Sequence, residues 1–290
     1  MNGILNIYKE KGYTSHDVVN IVRKLTKCKA GHTGTLDPDA EGVLPVCLGR
    51  ATKIADYLMA EDKEYVAQVI LGISTDTGDA SGQILAEKPF LGDLFNINSV
   101  LQNFIGQIVQ IPPMYSAIKV QGKKLYEYAR EGVSIERRSR LVTVRSIEIL
   151  EVSLPTSFVI RVNCSKGTYI RTLCADIGES LGSVAHMGEL LRTRSGSFRV
   201  EDAVKLGDLE EFIDRAVIPI DIALGHMPKI IISSKADKWL KNGNKIPLDF
   251  VQSKNGLSSE AEYLAYDEAD NLAGIYVLID DCIKPKVMLL

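Results

Sequence analysis

LVTVRSIEILEVSLPTSFVIRVNCSKGTYIRTLCADIGESLG, residues 141–182, places two strand patterns and one helix pattern in a single run. LVTVRSIEILEV and SFVIRVNCS are strands of the kind that pair in an antiparallel sheet. KGTYIRTLCADIGESLG opens with a turn and continues as a helix carrying Ile170, Leu173, Cys174 and Ile177. Strands and helices are mixed here without regular βαβ alternation. This predicts an α+β fold, not a doubly wound one, with a mixed, mainly antiparallel sheet flanked by helices.

Towards the amino terminus, GILNIY reads as a strand, and Thr14 or Ser15 caps a helix with Val18, Ile21, Val22 and Leu25 at helical spacing. Val43 to Leu48 is a short strand, followed by a helix with Ile54 and Leu58 on one side. YVAQVILGI is a strand expected to be buried on both faces, because its alternation is only partial. STDTGDASGQ makes a loop or hairpin. Ser99 to Ile105 reads as a helix with Val100, Leu101, Phe104 and Ile105 buried. Pro112 and Pro113 then break any regular element, and GKKLYEYAREG is a helix ended by Gly132. Towards the carboxyl terminus, KIIISS, EYLAYD, AGIYVLID and PKVMLL are short strands around one helix-like piece, SKADKWLKNG. They predict a small β-barrel-like module over residues 229–290, set on a larger domain of residues 1–228. A unit of that size needs the larger domain as support.

With 24% charged and 46% hydrophobic residues the chain is globular, not disordered or fibrous. The start, MNGILNIYKEKG, lacks the apolar core of a signal peptide, and no run of about 18 apolar residues exists, which predicts a cytoplasmic location and no membrane partner. Five scattered cysteines without a C-x-x-C pair predict free thiols, and the sequence offers no metal site. The net charge of -3 hides an uneven distribution. Basic runs occur at Arg23, Lys24, Lys27 and Lys29, at Arg137, Arg138, Arg140 and Arg145, and at Arg192, Arg194 and Arg199. The span from Asn255 to Asp281 has no Lys or Arg and seven acids. Local basic patches are what phosphate contacts require, although each run alone also reads as a solvated face.

GHTGTLDPDAEGVLPVCLG, Gly31 to Gly49, has the densest turn chemistry in the chain. Asp37 before Pro38 is, by itself, most often a turn former. The functional reading is a fixed carboxylate, with Gly31, Gly34 and Gly42 allowing close approach of a ligand. His32 is a tempting acid or base near neutral pH. TDTGDASG resembles a calcium loop only in part, lacking the full ligand pattern and the closing Glu.

Together with NGILNIYKEKGYTSHDVV, DKEYVAQVILGISTDTGDASGQ, PPMYSAIKVQGKKLYEYAREG, CSKGTYIRTLCADIG and AHMGELLRTRSG, this stretch resembles the bacterial tRNA pseudouridine-55 synthase family, TruB. The matches run in order from Asn2 to Gly196. The resemblance implies a cofactor-free isomerase that breaks the N1–C1' bond of a uridine, turns the base and joins C5 to C1'. It implies Asp37 as the catalytic residue, Tyr65 stacked on the target base, Arg171 paired with Asp37, Tyr169 close by, Leu190 beneath the base and Asp79 in the active-site wall. His32 fills the space left by the flipped uridine, and Lys9 is carried over from a K-P-x-G segment that here reads Lys9-Glu10-Lys11-Gly12. Leu191 replaces an arginine of the usual LRRTRSG, one phosphate contact fewer. The implied partner is the T-stem-loop of tRNA, recognised by shape and phosphates with the base flipped out. A monomer with no obligatory protein partner is expected, since neither end carries a long basic extension. A relative needing a guide RNA and a tRNA-folding chaperone are the competing readings. The tail resembles, more loosely, a PUA-type RNA-binding module, for which its acidity is awkward.

Overall fold

A computed structural model describes residues 1–252 and 256–290 of the chain. Strand β1 (Gly3–Lys9) leads to helix α1 (Ser15–Thr26). Thr14 caps α1 reciprocally: its hydroxyl accepts from the Asp17 N–H, and the Asp17 carboxylate accepts from the Thr14 N–H. The buried face of α1 is Ser15, Val18, Val19 and Val22. The expected stripe is thereby corrected: spacing from the capped start brings in Val19, while Ile21 is half-buried and Leu25, in the final turn, is exposed.

Strands β2 (Ala30–His32) and β3 (Glu41–Leu48) follow, then a tight turn of helix and α2 (Ala55–Ala60), with Ile54 and Leu58 buried as expected. Strand β4 (Lys63–Leu71) is not buried on both faces. Lys63, Ala67, Val69 and Leu71 point into the core, whereas Glu64, Val66, Gln68 and Ile70 keep partial exposure, as an antiparallel strand with one open face does. TDTGDASG is the turn of a hairpin, β5 (Ile73–Thr75) and β6 (Ile84–Glu87). Helix α3 (Leu94–Gln102) starts earlier than its apolar pattern suggests, because Asp93 and Asn96 form the capping pair. Its buried residues are Ile97 and Leu101; Val100 and Phe104 are half-buried and Ile105 lies exposed past its end.

After β7 (Gly106–Gln110) the two prolines open an irregular stretch. It ends in a small hairpin, β8 (Lys119–Val120) and β9 (Lys123–Lys124), and helix α4 (Leu125–Arg130), which Gly132 terminates at φ 72°. The run 141–182 becomes β10 (Arg140–Ser153), β11 (Ser157–Cys164) and α5 (Ile170–Ser180). β10 and β11 pair antiparallel, Ile147 opposite Val162 and Ile149 opposite Ile160. Strand β12 (Ala185–Ser195) then enters the middle of the sheet, and β13 (Phe198–Arg199), β14 (Val204–Lys205), α6 (Leu209–Ala216), β15 (Val217–Ile218) and α7 (Ile220–Ala223) finish the larger part. The main sheet has eleven strands with the central order β14-β1-β3-β12-β4-β11-β10-β7. Only β1–β14 and β12–β3 pair parallel; all other pairs in it are antiparallel. The fold is α+β with a mixed, mainly antiparallel sheet.

Residues from Lys229 onward form a second, six-stranded, barrel-like sheet: β16 (Lys229–Ile232), β17 (Ile246–Pro247), β18 (Val251–Gln252), β19 (Glu262–Tyr266), β20 (Leu272–Ile279) and β21 (Cys282–Met288). Helix α8 (Asp237–Lys241) lies between β16 and β17. All five cysteines are unpaired. No described helix is long and apolar enough to cross a membrane.

The two sheets are not independent. Ile4, Val43, Ile54, Leu58 and Leu224 of the larger part share one buried cluster with Leu264, Tyr266, Ile275 and Leu289 of the smaller. Arg50 and Lys53 add hydrogen bonds to the carbonyls of Leu289 and Met288 at 3.0 and 2.7 Å. Truncating that cluster should therefore weaken both parts together. Ile54→Ala, on the large side, is expected to cost about 2–5 kcal/mol. The single tryptophan, Trp239, sits on α8 beside the small sheet, so its fluorescence transition and the far-UV circular dichroism transition should move down in temperature together.

Candidate active site

The segment between β2 and β3 is irregular yet held on every side. Ser15 at the start of α1 donates from its hydroxyl to the Leu36 carbonyl (3.1 Å) and accepts from the Leu36 N–H (2.9 Å). The Pro38 carbonyl accepts from the Gly12 N–H and from Lys9 Nζ, both at 3.0 Å. Arg192 on β12 donates to the carbonyls of Val43 at 2.6 Å and Gly34 at 3.1 Å. Gly42 has φ +105°, and a Cβ there would lie 2.2 Å from the Arg192 carbonyl oxygen. Only glycine lets β3 and β12 approach so closely at this point.

The anchored segment presents Asp37 to a cavity of about 680 Å³. Arg171, on the first turn of α5 and only 6% exposed, reaches it from below. Arg171 Nε lies 3.1 Å from Asp37 Oδ2 and Nη2 lies 3.3 Å from Oδ1, a fork facing a carboxylate. The remaining donors go to the Tyr115 carbonyl at 2.7 Å and the Thr77 carbonyl at 3.1 Å, and Nη1 is 3.5 Å from Asp79 Oδ2. Asp79 is itself fixed by the hydroxyls of Thr77 and Ser81 and by the Ser81 N–H. Burial alone raises its pKa, but those hydrogen bonds and Arg171 outweigh burial and hold it below the usual range.

Asp37 behaves differently. Burial pushes its pKa up, Arg171 and Lys9 pull it down and the Asp79 charge pushes it up again, with a net rise. Its side chain keeps 40% of its surface open, and it is a wall residue of the cavity, so the carboxylate is reachable.

Tyr65 and Leu190 line the same cavity from neighbouring strands, β4 and β12, with Leu190 opposite Ala67 and Arg192 opposite Tyr65. Tyr169 joins them from just before α5, its N–H donating to Gln110 Oε1 at 3.0 Å. Burial raises the pKa of both phenols, so both are neutral OH groups. Six of the eight expected site residues are brought together or touch one another: Asp37, Tyr65, Asp79, Tyr169, Arg171 and Leu190.

Lys9 and His32 are not on the cavity wall. Lys9 is fully buried and gives its ammonium to the carbonyls of Glu10, Tyr13 and Pro38; it supports the Asp37 segment from beneath and is not among the cavity-lining residues. Burial drops its pKa to about 8. His32 also lies outside the cavity wall. Its Nδ1 accepts from the Gly34 N–H at 3.3 Å, and burial followed by the Arg192 charge lowers its pKa, keeping the ring neutral.

Arg192 corrects the reading of the third basic run: it is 1% exposed and structural, not a phosphate-facing charge. The signal was present, since strand period places Arg192 on the face of Leu190. Lys63, another cavity-lining cation, is tied to the carbonyls of Met59 and Glu61, an anchorage its sequence context does not signal. The Tyr115 and Thr77 carbonyls that aim Arg171 have no side-chain signature to read.

Residues 22–170 match the N-terminal domain of TruB family pseudouridylate synthase, and residues 171–224 match the tRNA pseudouridylate synthase B C-terminal domain. A protein of Alkaliphilus oremlandii named tRNA pseudouridine synthase B is 51% identical over 254 residues, 87% of this chain and 85% of the relative. One of the same name from Bacillus subtilis is 47% identical over 270 residues, 88% and 87% of the two chains. Among solved structures, a Cbf5-Nop10-Gar1 complex superposes with TM-score 0.76 at 29% identity, over 99% of this chain and 85% of that one.

The geometry makes Arg171 the group that limits the rise in the Asp37 pKa. By carboxyl-carbon NMR, Asp37 should titrate above the ordinary aspartate value of about 3.9. Arg171→Met removes the favourable charge, so the Asp37 titration should move further up; a downward move would contradict the pairing.

Proposed function

The chain belongs to the TruB family of pseudouridylate synthases, and we propose that it converts uridine 55 of the tRNA T-loop in the cavity beside Asp37. Its activity is that of a pseudouridine synthase acting on tRNA, the activity for which its relatives are named. The observation that carries the assignment of the site is the forked pairing of a buried guanidinium with one accessible carboxylate, at the wall of a cavity that also holds Tyr65 and Leu190.

The reaction breaks the N1–C1' and C5–H bonds and makes the C5–C1' and N1–H bonds within the same nucleoside, so it is an isomerisation with no net redox change. Attack of Asp37 on C6, attack on C1', and proton abstraction from the sugar all start from the ionised carboxylate. Arg171 keeps that form available despite burial and fixes where its oxygens point. Tyr65 offers a ring face to the flipped base, a contact worth about 1–3 kcal/mol, and Leu190 lies beneath the base. Such a lid retains the detached base while it turns. Asp79 acts through Arg171 as a positioning residue, Lys9 acts on the shape of the Asp37 segment, and His32 fills the space left in the RNA by the flipped uridine.

The enzyme acts as a monomer in the cytoplasm, without an obligatory protein partner, membrane or metal. Residues 1–228 are the catalytic unit and 229–290 a PUA-like module. The module's acidic span is partly neutralised, since Glu262 pairs with Lys286, while Lys238 and Lys241 on α8 are the groups that meet RNA phosphate.

Incubating the purified protein with an unmodified T-stem-loop transcript and mapping pseudouridine tests the reading directly. Product should form without any added protein or guide RNA; product only with a guide would overturn stand-alone action. Asp37→Asn should lower turnover about a thousandfold or more with RNA binding nearly unchanged, and retained turnover would remove Asp37 from the catalytic role.

A further inference from the structure

Gln110, the last residue of β7, is only 1% exposed. Its amide grips one residue of another element through both main-chain groups. Oε1 accepts from the Tyr169 N–H at 3.0 Å, and Nε2 donates to the Tyr169 carbonyl at 3.3 Å. That carbonyl also accepts from the Leu173 N–H at 3.0 Å, the first bond of the α5 ladder. An amide suits this double task, since a carboxylate only accepts and an ammonium only donates. Beside the clasp, the Thr172 hydroxyl makes a longer bond of 3.4 Å to the Ile111 carbonyl. The end of β7 is thereby joined to the start of α5, with Tyr169 at the junction.

Tyr169 does little for the helix that it precedes. It has extended dihedrals, φ -100° and ψ 110°, at the place where Ser, Thr, Asp or Asn would bond the first free N–H groups of α5, and its own side chain makes no such bond. What it contributes instead is a phenol on the cavity wall, where the charges of Arg171 and Asp37 both act on it. A residue that breaks a local preference beside a reactive group, with the loss made good from a distant segment, is the pattern of a functional constraint. We propose that Gln110 is a positioning residue for the reaction, whose clasp on the Tyr169 main chain fixes where the Tyr169 ring stands against the target nucleoside. The proposal rests on the cavity being the uridine site.

The test uses the full chain, an unmodified T-stem-loop RNA and single-turnover rates at saturating protein. Gln110→Met keeps the length of the side chain and removes both bonds. It should lower the rate about ten- to a hundredfold, while the dissociation constant for the RNA, measured in the Asp37→Asn background, stays unchanged. In the Tyr169→Ala background no ring is left to place, so Gln110→Met should cost little more; losses that multiply would show Gln110 acting elsewhere and overturn the proposal. Gln110→Glu is the second test and keeps the proposal falsifiable should the methionine variant not fold. Its ionised carboxylate sets an oxygen against the Tyr169 carbonyl, whereas the protonated acid, which burial favours, accepts from the N–H and donates to the carbonyl as the amide does. The rate of Gln110→Glu relative to the unaltered protein should therefore climb as pH falls, with the folded fraction, followed by circular dichroism, constant over the same range. A ratio flat in pH, or a weaker dissociation constant that accounts for the whole loss, overturns the role of Gln110. Absence of product from the unaltered protein overturns instead the reading of the cavity on which the proposal rests.

Discussion

Everything at the cavity depends on a cation that is almost entirely out of water. Desolvating the Arg171 guanidinium costs several kcal/mol unless its donors are met with good geometry, and here they are: by the Asp37 carboxylate, by the carbonyls of Tyr115 and Thr77, and at longer range by Asp79. Those acceptors come from the segment before β3, the hairpin turn and the stretch after the double proline. One side chain on α5 thus sets the mutual position of three irregular segments that share no backbone hydrogen-bond ladder. Irregular backbone near a functional site needs such a tie, because nothing periodic holds it.

The segment carrying Asp37 is gripped from its other side by two more buried cations, Lys9 and Arg192, whose hydrogen bonds go to main-chain carbonyls and not to carboxylates. The choice has an electrostatic consequence. A carboxylate partner would neutralise the positive field beneath the segment, whereas carbonyl dipoles satisfy the donors and leave the charge. Lys9 accordingly contributes to keeping the Asp37 pKa down, against burial. The cost falls on Lys9 itself, whose own pKa burial drops to about 8.

The regular elements were legible because their signals are local: the strands of residues 141–164, the Ile170, Leu173, Cys174, Ile177 face of α5, and the small C-terminal sheet all follow period or turn chemistry. Helix ends were less so. Asp93 with Asn96 starts α3 before any apolar residue of its buried face, so an apolar pattern finds it late. Asp37, Tyr65, Arg171 and Leu190 lie far apart in sequence. Their residue types alone favoured a turn former, a rim aromatic, a surface charge and a core leucine; only the ordered resemblance grouped them. Lys9 and Arg192 show the converse difficulty. A cation whose acceptors are all main-chain carbonyls leaves no complementary acid in the sequence to betray that it is buried.

That same concealment bears on how an acidic chain approaches a polyanion. Counting arginines and lysines overstates the phosphate-facing charge, since Lys9, Lys63, Arg171 and Arg192 are consumed inside. Arg145 is paired with Asp62. What remains exposed near the cavity is Lys119, Arg138, Arg140 and Lys166, on the stretch after β7, the start of β10 and the turn before α5. Arg140 and Lys166 also line the cavity. Charges more than a Debye length of about 8 Å away are screened, so a phosphate chain at the cavity meets this local set and not the net charge of -3. Arg140 and Lys166 thus give the cavity wall a local positive charge that the net charge hides.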